Sequence, residues 1–342
     1  PDPTPHPATK VTLAFGNDTF PVLVGRLKED SVEVLQAAVR AALRMLPAPM
    51  NTVKAVDAGA IPEFVRLCMH ADVAIRRDSS RAVAVAMNNG TAKRAFVEGG
   101  LLPAFQRVVE DEDGAVRANA AEALETLAYA APWPDALQAA GYVPLLVKRA
   151  ETERIDGVKV GALRALAKVV NAGSPGQREA VADSHATEVC VALLAHFVKE
   201  VREEAARVLG LLAFSAEGKV LAVKARAIPA LNKAMAEDSV ARVRAEAAGA
   251  AMAIAVDNLG KEAFLDAGLE PLVGLLKDAD AGARLNSMRA ISNAGANPDA
   301  RQHMVVALDV ASALQARIDD PTASAREQEV AKRTLEVVSW VP

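Results

Sequence analysis

Short apolar segments recur along the chain at a nearly constant interval, and each contains a proline. The prolines that mark them are Pro21, Pro62, Pro103, Pro144, Pro229 and Pro271. The first four are 41 residues apart. The 85 residues between Pro144 and Pro229 make about two periods, and Cys190 occupies the intermediate marker position. Ala311 occupies the marker position of the eighth repeat. Because proline is tolerated in the first turn of a helix, each segment predicts the start of a helix.

A glycine stands three residues before four of these prolines, at Gly59, Gly100, Gly141 and Gly268. Glycine accepts the left-handed conformation that commonly ends a helix. Each glycine therefore predicts the end of the preceding helix and a tight turn into the next one.

An aliphatic residue followed by a basic one marks a second place in each period. These pairs are Ile75-Arg76, Val116-Arg117, Val158-Lys159, Val201-Arg202, Val243-Arg244, Ala283-Arg284 and Ala325-Arg326, with Val34-Leu35 as a less regular first copy. After Val116, the residues Ala120, Ala123 and Leu124 follow the i, i+4, i+7, i+8 stripe of a buried helical face. Two markers with one shared period predict a stack of helical repeats.

The composition agrees with closely packed helices. Hydrophobic residues make up 51% of the 342 residues but aromatic residues only 4%, whereas strands favour aromatic and β-branched side chains. Two cysteines are too few for a disulfide framework, so we expect an intracellular, cytoplasmic protein. The net charge of −4 argues against nucleic-acid binding, and no apolar stretch predicts a membrane span or a signal peptide.

The glycine-x-x-proline opening and the valine-arginine start of the long helix resemble the armadillo repeat. HEAT repeats have a similar period and are the structural alternative, although the glycine before the proline favours armadillo. The resemblance implies an all-α, right-handed superhelical solenoid of about eight repeats of roughly 41 residues over residues 19–342. Residues 1–18 have prolines at positions 1, 3, 5 and 7, and we expect them to form an extended proline-rich arm.

No group of residues has the spacing of a catalytic or metal site. The five histidines are dispersed, and neither Cys68 nor Cys190 has a histidine at metal-ligand spacing. The pairs Gly218-Lys219 and Gly260-Lys261 lack the rest of a phosphate-binding loop, and we expect both glycines to end helices. The sequence therefore predicts neither an enzyme nor a cofactor, a metal or a small-molecule substrate.

The long third helices of an armadillo solenoid line its concave face, where partners usually bind. Armadillo proteins that bind nuclear-import peptides have tryptophan six residues, and asparagine ten residues, after the aliphatic residue that opens this helix. Only Asn293 matches the asparagine places here, and no tryptophan occupies the others. A nuclear-import function is therefore disfavoured.

Basic residues occupy many of these places instead. They are Arg40, Arg44, Arg81, Arg164, Lys168, Arg207 and Arg289. Such a stripe could bind an acidic segment of a partner through charge-assisted hydrogen bonds. Alternatively, Asp78 could pair with Arg81, and Glu204 with Arg207, three residues apart within one helix.

Several segments resemble one armadillo family more closely. They are residues 14–16 with 20–23, residues 204–207 with 215–219, and residues 247–250 with 260–261 and 271–276. They are similar to the radial spoke head 14 homolog family of motile cilia, and the likeness extends to about Val305.

This resemblance implies a non-catalytic scaffold subunit of the radial spoke, which links outer doublet microtubules to the central pair of the axoneme. It implies other radial spoke proteins as partners, and a place in the cytoskeleton of the cilium or flagellum. The alternative is a soluble armadillo adaptor that binds an acidic peptide or helix in its concave groove.

Overall fold

The chain is all-helical throughout the residues that the structure, a computed structural model, describes. These are residues 19–174 and 181–340, and they form 22 α-helices and no strand. The predicted arm over residues 1–18 lies outside the described residues. The chain divides between Leu145 and Leu146 into two compact units, here called unit 1 and unit 2.

Unit 1 contains the first three repeats and the start of the fourth. Its helices are α1 (Thr19–Arg26), α2 (Val32–Met45), α3 (Pro49–Asp57), α4 (Ala60–Leu67), α5 (Val73–Ala86), α6 (Gly90–Glu98), α7 (Leu102–Val109), α8 (Gly114–Leu127), α9 (Trp133–Ala139) and the beginning of α10 (Tyr142–Thr152). Repeats 2 and 3 each have a short first helix, a second helix that contains the proline, and a long third helix. Three helices per repeat are typical of armadillo repeats, whereas HEAT repeats have two.

Unit 2 continues the same order through repeat 8. Its helices after α10 are α11 (Asp156–Ala172), α12 (Thr187–Leu193), α13 (Lys199–Leu212), α14 (Ala216–Lys224), α15 (Ala227–Glu237), α16 (Ala241–Ile254), α17 (Asn258–Ala267), α18 (Glu270–Gly274), α19 (Ala281–Ala294), α20 (Pro298–Val306), α21 (Val310–Asp319) and α22 (Ala325–Val338). A π-helical turn, Ala182–Ala186, leads into α12. The prediction of an all-α armadillo-type solenoid is confirmed.

The repeat markers have the structural roles that the sequence predicts. All four marker glycines have positive φ, between 69° for Gly100 and 95° for Gly268. Pro62 and Pro103 lie in the first turns of α4 and α7. Side chains in the turn before the third helix cap its free N–H groups, as Asp72 does for α5 and Asp280 for α19.

Small side chains let neighbouring third helices pack closely. A Cβ atom on Gly210 of α13 would lie 3.4 Å from the Cα atom of Ala250 on α16. Aromatic side chains fill only a few places, such as the edge-to-face pair Phe96 and Phe105, whose ring centroids are 5.2 Å apart. The low aromatic content therefore reflects a core formed mainly between alanine-rich helices.

Two glycines do not end helices as predicted. Gly218 and Gly260 lie in the first turns of α14 and α17, the first helices of repeats 6 and 7. A Cβ atom on Gly218 would lie 2.0 Å from the carbonyl oxygen of Leu212, and one on Gly260 would lie 2.1 Å from that of Ile254. Glycine is needed because each first helix crosses the end of the preceding third helix at contact distance.

The register of the end repeats also differs from the prediction. In α2 the buried opening residue is Leu35 rather than Val34, so Arg40 lies five residues after it instead of six. In α22 the buried opening place is held by Glu327, two residues after Ala325. An acidic residue is tolerated there because Arg284 donates to the Glu327 carboxylate at 2.7 Å.

Candidate partner-binding surface

Within each unit the third helices pack side by side, and their exposed sides carry the basic residues predicted to bind a partner. In unit 1 this surface is formed by α2, α5 and α8, and in unit 2 by α11, α13, α16, α19 and α22. The two units are described separately below.

In unit 1, two of the three predicted arginines form ion pairs between neighbouring repeats. Arg40 Nε lies 3.0 Å from Asp78 Oδ2, and Arg81 pairs with Glu122 on the next third helix. Asp78 and Arg81 therefore pair with different repeats rather than with each other. Arg44 is exposed and has no ion pair with any residue that the structure describes.

In unit 2, Arg164 and Arg207 belong to a more continuous network. Arg164 Nε lies 3.1 Å from Glu204 Oε1. Arg207 contacts Glu203 at 3.0 Å, Glu204 at 2.8 Å and Glu246 at 3.2 Å. The predicted pairing of Glu204 with Arg207 within one helix is present, but the same groups also join three successive repeats.

Arg289 on α19 is half-buried and lacks an ion pair within the described parts of the chain. The side chains of Asn286 and Asn293, on the same face of α19, donate to the carbonyl oxygens of Ala245 and Met252, both at 2.9 Å. In repeats 5 and 6 the acidic partners Glu204 and Glu246 come three residues after the opening residue of the third helix. The corresponding residue of repeat 8 is apolar, Val330, which explains why Arg289 has no such partner.

Lys168 on α11 is half-buried and completes the predicted set. It lies one turn beyond Arg164 on the same helix. The structure thus places four of the seven basic residues in ion pairs between repeats and two, Arg44 and Arg289, outside such pairs.

A second ladder of basic residues joins the repeats at the turn before each third helix. It uses the basic member of the repeat marker, as at Arg202, Arg244 and Arg284. Arg244 donates to the Asp238 carbonyl of its own repeat at 2.8 Å, and it holds the Asp278 carboxylate of the next repeat at 2.6 and 2.9 Å. This arginine holds the pKa of Asp278 below its ordinary value, against the opposing effect of burial.

In the sequence, this ladder is visible only as the basic residue of the aliphatic-basic repeat marker. A basic residue at a fixed place after an acidic turn is visible in the pattern, but its two simultaneous partners are not. In the structure each of these arginines binds backbone carbonyls in the turn after one second helix and a carboxylate of the next repeat.

The described residues contain no group of His, Cys, Asp and Glu side chains that could hold a metal ion. Both cysteines are buried and unpaired, and burial raises the pKa of the Cys190 thiol to about 12 and that of Cys68 still further. A thiol with such a pKa is protonated near neutral pH and is a poor nucleophile. None of the helices in residues 19–174 and 181–340 has the length and apolar character needed to cross a membrane.

Comparison with known proteins identifies the family. No family model matches the chain. Radial spoke protein 14 of Chlamydomonas reinhardtii is 30% identical over 318 residues, which cover 89% of this chain and 82% of that protein. The chain belongs to the radial spoke protein 14 family. The resemblance inferred from the sequence is thereby confirmed.

Solved structures support the fold of this radial spoke family member. An engineered protein matches with a TM-score of 0.77 and 26% identity, over 97% of this chain and 92% of the other. A designed armadillo repeat protein matches with a TM-score of 0.62 and 23% identity, over 69% of this chain and 99% of the other. Another, in complex with the peptide (KR)4, matches with a TM-score of 0.64 and 24% identity, over 69% and 99%. The family and the armadillo fold together are those of a repeat scaffold.

Proposed function

We propose that this protein is a non-catalytic structural subunit of the radial spoke in the ciliary or flagellar axoneme. The likeness to radial spoke protein 14 over 89% of the chain carries the proposal. Its partners are other spoke proteins, which bind along the solenoid surface. The partners include no nucleic acid, membrane or small-molecule substrate.

The physical character of the chain supports a mechanical role. Ion pairs and arginine ladders join successive repeats within each unit, as Arg207 does in joining Glu204 to Glu246. Each such contact resists separation of neighbouring repeats, because pulling them apart would leave a partly buried charge without its partner. A subunit that transmits force benefits from this continuity.

We further propose that the basic residues of the third helices bind carboxylates of spoke partners, and that Arg44 and Arg289 contribute most. An arginine that already holds a carboxylate must release it before it can bind another. Arg44 and Arg289 have no ion pair to give up among the described residues. Arg40, Arg81, Arg164 and Arg207 chiefly stiffen the stack, and Lys168 adds positive charge beside Arg164.

Charge reversal tests this surface. Arg44→Glu combined with Arg289→Glu should weaken retention of the protein on axonemes at moderate salt, with thermal stability unchanged. Arg94→Glu is the matched control, because Arg94 is an exposed arginine on the first helix α6, with only a 3.9 Å contact to Glu98. Equal retention of both variants would contradict a partner-binding role for Arg44 and Arg289.

The soluble adaptor remains the second candidate, and the unpaired Arg44 and Arg289 are the observation that favours it. An adaptor would use the same arginines to bind an acidic peptide. It would be found in the soluble fraction of ciliated cells, and the charge-reversed variant would lose that peptide without any change in axonemal content.

A further inference from the structure

Unit 2 exposes a row of apolar residues at the turn between each third helix and the next first helix. The row occupies the same place in repeats 5 to 8 and consists of Phe214, Val256, Ala296 and Trp340. Three of them are large and well exposed, at 55% for Phe214, 56% for Val256 and 58% for Trp340. Large exposed apolar side chains that recur at one place in neighbouring repeats can form an interaction surface.

Two further side chains widen the row in repeats 5 and 6. Leu211 lies one turn before Phe214, and Met252 lies one turn before Val256; both are half-buried. The two pairs are neighbours because α13 and α16 approach closely at Gly210 and Ala250. We call Leu211, Phe214, Met252, Val256 and Trp340 the apolar strip.

Folding of a repeat does not require an apolar residue at this turn. The same place is held by Asn88 in repeat 2 and by Asn171 in repeat 4, and both asparagines are exposed. Repeats 1 and 3 have Ala48 and Tyr129 at this place, so the polar residue occurs in two of the first four repeats, whereas unit 2 keeps the place apolar in the four successive repeats 5 to 8. This contrast points to a role in binding rather than in stability.

An unpaired positive charge lies beside the strip. The side chain of Asn293 donates to the Met252 carbonyl at 2.9 Å, which places that part of α19 next to the strip. Arg289 is one turn before Asn293 on the same face of α19 and has no ion pair to a described residue. An occupant of the strip therefore gains from a carboxylate on the flank that faces Arg289.

The spacing of the strip favours a helical occupant. Packed helices lie about 8–10 Å apart, so successive repeats present their apolar residues at about that interval. A helix that crosses them rises about 1.5 Å per residue, and its residues i and i+7 are therefore about 10.5 Å apart on one face. An extended chain covers the same distance in about three residues, which places successive contacts on opposite faces.

We infer that the apolar strip binds an amphipathic α-helix of another spoke protein, with apolar residues at i, i+7, i+14 and i+21 opposite repeats 5 to 8 and acidic residues along one flank. That the amphipathic helix belongs to a spoke protein rests on the proposed function. The recognition itself rests on the strip, on Arg289 and on the repeat spacing.

A synthetic fluorescent peptide of about 26 residues tests the inference, with leucines at i, i+7, i+14 and i+21 and a glutamate flank. Fluorescence anisotropy with the purified full chain should show binding, weakened about tenfold or more by Phe214→Asn together with Val256→Asn. Val306→Asn, which changes an exposed apolar residue of α20 outside the strip, should leave the affinity unchanged. The asparagine substitutions copy residues that other repeats already have, so the variants should remain folded.

Two further peptides sharpen the test. A peptide of the same composition with its leucines spread around the helix should bind weakly, and Arg289→Glu should reverse the preference between a glutamate-flanked and a lysine-flanked peptide. Absence of binding by the first peptide, or equal binding of the spaced and spread peptides, would contradict the inference. If the peptide does not bind but the protein still fractionates with spokes, the helix-binding inference is wrong and the proposed function stands. If the peptide binds but the protein is absent from axonemes, the proposed function is wrong and the helix-binding inference stands.

Discussion

Arg226 adopts a left-handed backbone conformation, with φ of 58°, at the place where four other repeats have glycine. Asp309 does the same in repeat 8, with φ of 47°. Side chains with a Cβ atom are strained in this region by about 1–2 kcal/mol. At the scale of single residues, the backbone strain at Arg226 and Asp309, in the turn before the second helix, therefore lowers the stability of unit 2.

We expect Arg226→Gly to raise the free energy of unfolding by about 0.5–1 kcal/mol, since relief of strain exceeds the extra backbone entropy that glycine loses on folding. Chemical denaturation of the full chain measures the change. Lys224→Gly, in the helical end of α14 two residues earlier, is the control and should lower stability by about 1 kcal/mol. A lower free energy of unfolding for Arg226→Gly would mean that contacts of the arginine side chain stabilise the fold by more than the left-handed backbone strain destabilises it.

The close crossing at Gly218 makes a prediction of opposite sign. Gly218→Ala should lower the free energy of unfolding by about 2–3 kcal/mol, because the new methyl group overlaps the Leu212 carbonyl and the backbone must shift. Gly157→Ala in α11, where a Cβ atom meets nothing within 4 Å, should be neutral or stabilising. Similar melting temperatures for the two variants would contradict the crossing geometry.

At the scale of the helices, the arginine ladder explains why the repeat marker is basic. Arg244 is largely buried, with 17% of its side chain exposed, and its partner Asp278 is 8% exposed. The pair is bidentate and joins repeats 6 and 7, so removal of one member leaves a buried charge without a partner.

Arg244→Met should therefore lower the free energy of unfolding near pH 7 by about 3 kcal/mol. The pKa of Asp278 is below its ordinary value of 3.8 in the folded protein, so this stabilisation is present above that value and is lost as pH falls through the folded pKa. The difference between variant and parent should shrink below about pH 4 in denaturation curves.

Removal of an exposed pair provides the matched control for this ladder. Arg333 and Glu329 are solvated on α22, and Arg333→Met should change stability by less than about 0.5 kcal/mol at any pH. An effect of Arg244→Met no larger than that of Arg333→Met would argue against a structural role for the ladder.

Most of the helix order could be predicted from the sequence, because its signals are local. The glycine at φ 69° and the proline of α7 lie within four residues of each other in repeat 3, and the same pair recurs in repeat 7. The prediction for Gly218 is wrong because a glycine that ends a helix and one that permits a close crossing look alike in sequence.

The ion pairs could not be predicted in the same way. Arg81 has Asp78 three residues before it, yet it pairs with Glu122 of the next repeat. Which carboxylate an arginine reaches depends on the offset between neighbouring helices, and a shift of one residue, as between Val34 and Leu35, changes it. The sequence thus identified the charged surface of the third helices but not which of its arginines are unpaired.

At the scale of the whole molecule, the proposed function is that of a repeat scaffold to which other spoke proteins bind. The chain belongs to a radial spoke family over 89% of its length, and both units consist of the same three-helix repeat. Stability that derives from contacts between neighbouring repeats would suit the proposed role as a spoke subunit.

The most direct test is fractionation of ciliated cells, followed by a salt wash of demembranated axonemes, with an antibody against this protein. A spoke subunit should remain with the axoneme and should be missing from axonemes of mutants that lack radial spokes. A protein found mainly in the soluble cytoplasm, or retained equally on axonemes without spokes, would contradict its assignment as a spoke subunit.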